Sequence, residues 1–558
     1  MKELIAKLLF EALKQNKIEL KETEIAKLVE IPPSPEMGDF SFPCFFLAKT
    51  MKKNPSDIAM QIRGDISSSA EFEDVQTSGG YINFFLDRKK LAVELIAKVL
   101  KEKDSFGNFD IGKGKKALVE HTSINPNASP HVGRARNALL GNSIVQILKF
   151  LNYKTEVHYY VNDVSKQIAM LVLAKADRLK FESMLKKYIE ISKKVKASKK
   201  LESQVFGLLE KFEAGDEETV SKFRKVTKTC VDGQEKILAK LGIKYDIFDY
   251  ESSYIKKSKE ILSVLEKTGK LFKDENSRLV LNQAGTPVEG KMKAPFLVLT
   301  RSDGTGLYPS RDLAYALHKL DIAPEKNIIV LGEDQKLYFQ QVSEALKLLA
   351  TRRMEVIHYS FILLNEKGKA KKMSTRKGDV VLLENFIKEA IAKARKEITK
   401  RKTKGNAEKI GTAAVKYAIL KTSANKMISF NLDDALNFEG DTGPYILYSY
   451  ARASSILKKA KKKRKTSSIA ELEEKELELI KKFSQFQSTV LAAYDKSNPS
   501  TLANYAYHLA QTFNEFYHSC PVIDSGEKEA FRLSLVNAFR QVLKNALTLL
   551  GIETTEEM

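Results

Sequence analysis

Cysteine is scarce in this chain. Of 558 residues only Cys44, Cys230 and Cys520 are cysteines, and none stands in a C-x-x-C pair. That excludes a zinc ribbon and a disulfide framework, and it fits a reducing compartment. Long apolar runs are missing as well. None is long enough to span a bilayer, and the amphipathic N-terminus, with Lys2, Glu3, Lys7 and Glu11, lacks a signal-peptide pattern. No internal repeat is apparent. The expected setting is therefore cytoplasmic, without a membrane partner.

What the chain has in excess is positive charge. Lys and Arg number 93 against 71 Asp and Glu, a formal net charge of +22, and the pI is near 9.4. A soluble protein this basic points to a polyanionic partner, nucleic acid first, although a solvated lysine surface gives the same composition. With 43% hydrophobic and 29% charged residues, a chain of this length holds several domains, each with its own core.

The stretch Glu120-His121-Thr122-Ser123-Ile124-Asn125-Pro126-Asn127-Ala128-Ser129-Pro130-His131-Val132-Gly133-Arg134 carries most of the chemistry. It leaves a strand predicted at Ala117-Leu118-Val119, passes two prolines, and enters a helical pattern with Ala138, Leu139, Ile144, Val145, Ile147 and Leu148. Free N–H groups and the dipole at a helix start favour an anion. Gly133 lets a flat base approach the backbone. Alone, this run also fits an ordinary turn before a core helix. A second stretch, Lys372-Met373-Ser374-Thr375-Arg376-Lys377-Gly378, follows the apolar Phe361-Ile362-Leu363-Leu364 in a basic loop. Two such loops in this order resemble the HIGH and KMSKS signatures of class I aminoacyl-tRNA synthetases. Val119-Glu120, Ser123 and Asn125-Pro126 before the first loop, and Met373 to Gly378 in the second, are similar to arginyl-tRNA synthetases. The likeness extends over nearly the whole chain.

The resemblance implies a multidomain α/β plus all-α protein in five parts. Residues 1–112 are expected to form an α+β domain that binds the tRNA D-loop. Within it, Pro35-Glu36-Met37-Gly38-Asp39 and the strand pattern from Gly79 to Leu86 resemble the family's N-terminal domain, and Tyr81 and Asn83 fall on one side of that strand. An aromatic ring and an amide suit an unpaired nucleotide. Residues 113–163 are the first half of a Rossmann-like catalytic domain, with a strand over Thr155 to Val161. Residues 164–291 are a helical, lysine-rich insertion without the pocket signals of an editing domain. Asp246, Tyr250 and Glu251 close it and read as a capped helix and a surface loop.

The second half, 292–390, resumes with an apolar strand at Phe296 to Leu299. A helix predicted to begin at or just after Tyr308 puts Tyr308 and Asp312 on one face. The strand Asn327 to Leu331 runs into Gly332-Glu333-Asp334, where a glycine and a carboxylate suit ribose hydroxyls. From 391 to 558 the pattern is helical. There Tyr445, Tyr448 and Arg452 open a helix similar to the family's anticodon-binding domain, though core packing also explains most of its aromatics.

The reaction implied has two steps. Arginine attacks the α-phosphate of ATP, and a terminal ribose hydroxyl of tRNA(Arg) then takes the arginyl group. ATP enters with Mg²⁺ as the substrate complex, the ion resting mainly on phosphate oxygens and water, so no protein-bound metal is expected. Catalysis needs alignment and donors, not a protein nucleophile. The residues matched to that work are His131, Gly133, Arg134, Lys372, Arg376 and Lys377, with Gly332, Asp334, Met373 and Ser374 also toward ATP. A guanidinium is a planar donor fork and asks for paired carboxylates. Glu120, Tyr308 and Asp312 match the family's guanidinium contacts, and Ser123 and Asn125 its contacts to the α-amino group. The chain departs from the pattern at Arg134, usually histidine, and at Thr375, usually lysine. Ala128 stands where arginyl enzymes without that lysine often carry a compensating one. Two rivals remain at this stage: another class I synthetase or small nucleotidyltransferase, and a tRNA-binding paralogue with a weakened site. The family resemblance also implies that tRNA must be bound before adenylate forms. A monomer is expected.

Overall fold

The computed structural model describes the backbone of residues 1–366, 369–372, 381–460 and 471–558. At its centre is a five-stranded parallel sheet. Its spatial order is Glu355–Tyr359, Lys326–Gly332, Lys116–Glu120, Lys154–Val161 and Ile247–Tyr250. Strands buried on both faces are near-continuously apolar. Ala117, Leu118 and Val119 obey that rule, all at 0% exposure. From Lys116–Glu120 the chain runs outward in one direction through Ile247–Tyr250, then returns to build the other side. The sheet therefore has a topological switch between Lys116–Glu120 and Lys326–Gly332, and the carboxyl ends of those strands open a crevice.

Helix Val132–Phe150 is the crossover that returns the chain to the parallel sheet. It is buried almost all round. A side chain at Gly141 would meet the His121 ring at 2.3 Å, so the helix can lie this close to the first loop only with glycine there.

Residues from Ile5 to Phe84 make a separate apolar core under a three-stranded antiparallel sheet of Phe40–Pro43, Tyr81–Leu86 and Phe72–Ser78. Helix Arg88–Glu102, capped by the Asp87 carboxylate on the Lys90 N–H, packs Ala92, Ile96 and Val99 into the main core. Four helices, Lys166–Leu173, Phe181–Ala197, Lys199–Glu213 and Glu217–Ala239, enclose a core of their own from Val164 to Cys230. The C-terminal helices, Gly443–Lys459, Glu474–Asp495, Ser500–Ser519 and Glu529–Leu549, join the same core as the central sheet.

Three local expectations are corrected. Asp246 to Glu251 is not a capped helix and surface loop. Ile247–Tyr250 is the outer strand of the parallel sheet, Asp246 accepts the Val157 N–H at 2.9 Å, and Glu251 is buried. Second, Phe296–Val298 does not resume the parallel sheet. It pairs antiparallel with Leu279–Asn282 in a small separate sheet completed by Leu271–Lys273. Short apolar runs say that a strand is buried but not which sheet takes it. Third, the region after 391 is not purely helical. Ile428–Phe430 is a strand parallel to Ile362–Glu366.

Candidate active site

The loop after strand Lys116–Glu120 is held in an unusual path. Thr122 and Ser123 have φ of 75° and 40°, left-handed values that non-glycine residues rarely adopt. Two bonds fix Thr122 there: its N–H donates to Asn137 Oδ1 at 2.5 Å, and its hydroxyl accepts from the Tyr245 hydroxyl at 2.7 Å. Backbone strain of this kind persists only where the surroundings over-determine it. The loop ends at His131, whose extended backbone caps helix Val132–Phe150. Burial, with the Arg134 charge adding, pushes the His131 ring down to about 4, so it is neutral at pH 7. Its Nδ1 is buried without a hydrogen-bond partner.

The crevice above the switch point is a cavity of about 590 Å³. Glu120, Ser123, Asn125, Tyr308 and Asp312, separate in sequence, all line it. Asp334 also reaches it from the end of strand Lys326–Gly332, with Gly332 behind; a Cβ at Gly332 would lie 2.4 Å from Asp334 Oδ1. His131 and Arg134 lie in an adjoining cleft of about 120 Å³, and Asn125 lines both spaces. Gly133 sits in the first turn of helix Val132–Phe150.

The carboxylates of the cavity are not equivalent. Glu120 is 3% exposed; Ser123 Oγ donates to its Oε1 at 3.2 Å, and its Oε2 pairs with Lys319, itself 1% exposed. Glu251 is 1% exposed, and its Oε1 takes the Arg311 Nε–H at 2.6 Å. Burial outweighs that guanidinium and pushes the Glu251 carboxyl up to about 7. Asp312 accepts the Tyr338 hydroxyl. Burial raises its carboxyl to about 6, against the pull of the Tyr338 bond, and Glu120 adds to the rise. The half-exposed Tyr308 ring lies 5.0 Å from the Tyr338 ring. So Glu120 and Glu251 already have cations, whereas Asp312 has a hydroxyl. A carboxylate placed as Asp312 is can accept a positive charge bearing several donors. Lys319, Tyr338 and Glu251 were not singled out for this site from sequence. Lys319 is seven residues after Asp312 on one helix, which is helical spacing, but nothing in the chain marks Glu120 as its partner.

Lys372 ends the strand Lys369–Lys372. Met373, Ser374, Thr375, Arg376, Lys377 and Gly378 lie outside the described residues. The chain just beyond them meets the first loop: the Val132 N–H donates to Val381 O at 3.0 Å, and the Leu383 N–H to Pro130 O at 2.8 Å. The two loop regions are thus tied at one point.

The residues matched to tRNA lie elsewhere. Tyr81 is half-buried and meets the exposed Phe45 ring edge-on at 5.0 Å. Asn83 is 5% exposed, and its Oδ1 accepts the Ser41 hydroxyl at 2.7 Å. The two are therefore not presented alike, because the Gly38 turn and Ser41 cover Asn83. In the C-terminal helices the Arg452 guanidinium sits between the Tyr448 and Tyr517 rings, 4.8 and 4.9 Å from their centroids. These three, with Lys404, Lys459 and Met558, line a cavity of about 730 Å³. Tyr445 packs instead against Tyr507, 5.7 Å between ring centroids.

Among the described residues, the group of ligating side chains close enough to share an ion is Glu473, Glu476 and Cys520, in the C-terminal helices. Arg532 and Lys528 already engage its carboxylates. No helix among the described residues is long and apolar enough to cross a membrane.

Comparison with known proteins covers the chain. Residues 2–86 match the arginyl tRNA synthetase N terminal domain, 95–432 the tRNA synthetases class I (R) catalytic domain, and 446–558 the DALR anticodon binding domain. The arginine–tRNA ligase of Methanocaldococcus jannaschii is 36% identical over 96% of this chain and 97% of its own length. That of Clostridium perfringens is 35% identical over 99% of both. Among solved structures, Thermus thermophilus arginyl-tRNA synthetase superposes with a TM-score of 0.75 at 25% identity, covering 100% of both chains.

Proposed function

The chain belongs to the arginyl-tRNA synthetases of class I, and on that premise we propose how its residues divide the work of arginine–tRNA ligation. The cavity over the sheet's carboxyl ends takes L-arginine. Asp312 receives the guanidinium charge, Tyr308 and Glu120 Oε1 accept further donors, and Ser123 and Asn125 hold the α-amino end. ATP, brought as its Mg²⁺ complex, lies across the switch point with its ribose toward Gly332 and Asp334. His131 and the first turn of helix Val132–Phe150, with Gly133 and Arg134, point donors at the α-phosphate. Lys372, Met373, Ser374, Arg376 and Lys377 complete the phosphate grip.

With the substrates aligned, the arginine carboxylate oxygen bonds to the α-phosphorus and pyrophosphate leaves. The 2′-hydroxyl of the terminal adenosine of tRNA then attacks the arginyl carbonyl, releasing AMP. Neither step requires a protein nucleophile. Both rely on alignment and on fixed donors at developing charge. The five-part division, 1–112, 113–163, 164–291, 292–390 and 391–558, then assigns tRNA to the two ends. Tyr81 and Asn83 serve the D-loop, and Tyr445, Tyr448 and Arg452 the anticodon side. A monomer is our reading, since the five residues matched to arginine all come from one chain, and three free buried cysteines suit the reducing cytoplasm.

The observation that carries this reading is the convergence of Glu120, Ser123, Asn125, Tyr308 and Asp312 on one cavity. Purified protein given ATP, tRNA and each amino acid in turn should charge tRNA with arginine alone. Charging with another amino acid, or with none, rejects it.

A pH profile gives a second check. The Asp312 carboxyl, at about 6 in the free protein, is a neutral acid below that pH. With tRNA and ATP saturating, kcat/KM for arginine should fall as pH drops through about 6. Stability moves the other way. An unfolded Asp titrates near 3.9, so the folded protein takes up this proton first. The group's relative stabilisation is full below the unfolded value and is lost as pH rises through about 6. An acid limb from this group is thus a binding effect, not unfolding. A flat profile from pH 5 to 8 rejects the assignment.

The D-loop assignment separates two variants. Tyr81→Ala removes a surface ring and should weaken charging chiefly of tRNAs with the preferred D-loop base. Asn83→Ala removes the acceptor of a buried Ser41 hydroxyl, and leaving such a group unpaired costs about 1–3 kcal/mol. It should therefore lower the melting temperature and weaken charging of every tRNA, most of all those with the preferred D-loop base. Charging assays over a D-loop variant set, with melts, decide. Equal losses from Tyr81→Ala across the set would remove Tyr81 from recognition.

A further inference from the structure

Gln234 lies in the helix Glu217–Ala239 of the four-helix insertion and is 0% exposed. Its amide nitrogen donates to two loop carbonyls, Asn125 O at 3.0 Å and Ala128 O at 2.9 Å. Its Oε1 is 2.8 Å from the Tyr159 hydroxyl, and that hydroxyl accepts the Ile124 N–H at 3.1 Å. One buried amide thus uses both donors and its acceptor on the loop between Glu120 and His131, directly or through Tyr159. Asn127 adds a parallel tie, its Nδ2 donating to Gln167 Oε1 at 2.7 Å. Asn125 lines both the large cavity and the His131 cleft, so its backbone position sets the spacing of the two.

We propose that Gln234 is a positioning residue of the reaction, which pins the Ile124–Ala128 backbone so that arginine and the ATP phosphates meet in register. It touches neither substrate. This inference rests on the reading of the cavity given above. It also gives the four-helix unit a role, since Gln234 sits on the last of its four helices, Glu217–Ala239. Misplacing reacting groups by an ångström costs about a hundredfold in rate.

Two variants test it. Gln234→Leu keeps the bulk and removes every bond. Gln234→Glu keeps the acceptor toward Tyr159, but when ionised it faces two carbonyls with no donor. A protonated carboxyl restores one donor, and burial among carbonyls favours that form. The titratable and charged groups that bear on this position are Tyr159, on which Arg134 and Cys230 act, and Tyr245 beside it, which adjoins the His121 ring and feels Glu235. Burial raises both tyrosines and pushes Cys230 up to about 12, and it holds His121 neutral at about 3. None of those four changes charge between pH 6 and 8, and taking each variant as a ratio to the parent cancels the carboxylates of the cavity.

The expected results are these. In the free protein, Gln234→Leu raises hydrogen exchange in the 124–131 peptide and leaves the central strands unchanged. In tRNA-saturated pyrophosphate exchange, it lowers kcat about 10- to 100-fold per folded molecule and raises KM for arginine. The Gln234→Glu ratio falls as pH rises from 6 to 8, while the Gln234→Leu ratio stays level. Unchanged exchange at 124–131 overturns the pin. Altered exchange with kcat within twofold of the parent, or a loss fully explained by a smaller folded fraction, overturns its role in the reaction. A pH-independent Gln234→Glu ratio overturns the donor argument. The parent's own arginine-dependent activity, run alongside, reports separately on the reading of the cavity.

Discussion

Asp312→Asn should lower kcat/KM for L-arginine by roughly 30- to several-thousand-fold. The figure follows from the about 2–5 kcal/mol lost when one side of a buried, hydrogen-bonded charge pair is removed. The substitution keeps size and shape but turns one acceptor into a donor facing the donors of the guanidinium. Of the four acids lining the cavity, Asp334 stands at the end read as the ribose side, Glu120 has Lys319 and Glu251 has Arg311, whereas Asp312 has the Tyr338 hydroxyl. Citrulline, with a neutral urea in the guanidinium's place, should be a poor substrate for the parent and should lose less in the variant. The arginine-to-citrulline ratio should therefore shrink. Adenylate formation with tRNA saturating is the measurement, so that tRNA binding does not enter. The acid limb near pH 6 should vanish with the carboxyl. Unchanged use of arginine, or equal loss of both substrates, would make Asp312 a structural residue of helix Tyr308–Ile322.

Residues that line this cavity could be named from the sequence, but their partners differ more than the sequence suggested. Glu120, Ser123 and Asn125 stand in one short loop, and Tyr308 and Asp312 at one helix start, so motif spacing found them. The guanidinium argument asked for paired carboxylates. Glu120 and Asp312 both line the cavity, but Glu120 is already engaged, because Lys319 reaches it across 199 residues of sequence. A lysine in an amphipathic helix reads as a solvated face, and only the assembled sheet shows it to be enclosed. Glu251 was missed for a related reason. Asp246 to Glu251 is short, polar at intervals and flanked by helices, so local pattern could not reveal an outer parallel strand. Gln234 carries no motif at all; its value comes from three partners in two distant segments. The strands Lys116–Glu120 and Lys326–Gly332 were found because parallel core strands are apolar on both faces, and Lys154–Val161 because it is rich in β-branched and aromatic residues. Phe296–Val298 has the same apolar look and belongs to a different sheet.

The Glu120–Lys319 pair yields the other large effect. Both side chains are nearly inaccessible, and Lys319 also stands 4.5 Å from the centroid of the Tyr315 ring. Removing one partner of such a pair costs about 3–5 kcal/mol, because the remaining charge stays buried without an answer. Lys319→Met should therefore destabilise the free protein by about that much, and Glu120→Gln should do likewise by leaving the ammonium alone. The double variant Lys319→Met with Glu120→Gln removes both charges and should regain most of the loss, since replacing a buried pair outright is often neutral. Its activity should not return with its stability, because Glu120 also lines the cavity and an amide there carries no charge toward the substrate. L-arginine offers a further distinction. A bound guanidinium beside Glu120 partly replaces the missing ammonium, so saturating arginine should raise the melting temperature of Lys319→Met more than that of the parent. Denaturant titrations give the double-mutant cycle, and melts with and without arginine give the linkage. A loss of under about 1 kcal/mol for Lys319→Met is what an exposed pair would give. That result, or simple additivity of the two single variants, would show that Lys319 does not balance Glu120, and the charge count that leaves Asp312 as the acid for arginine would fail with it.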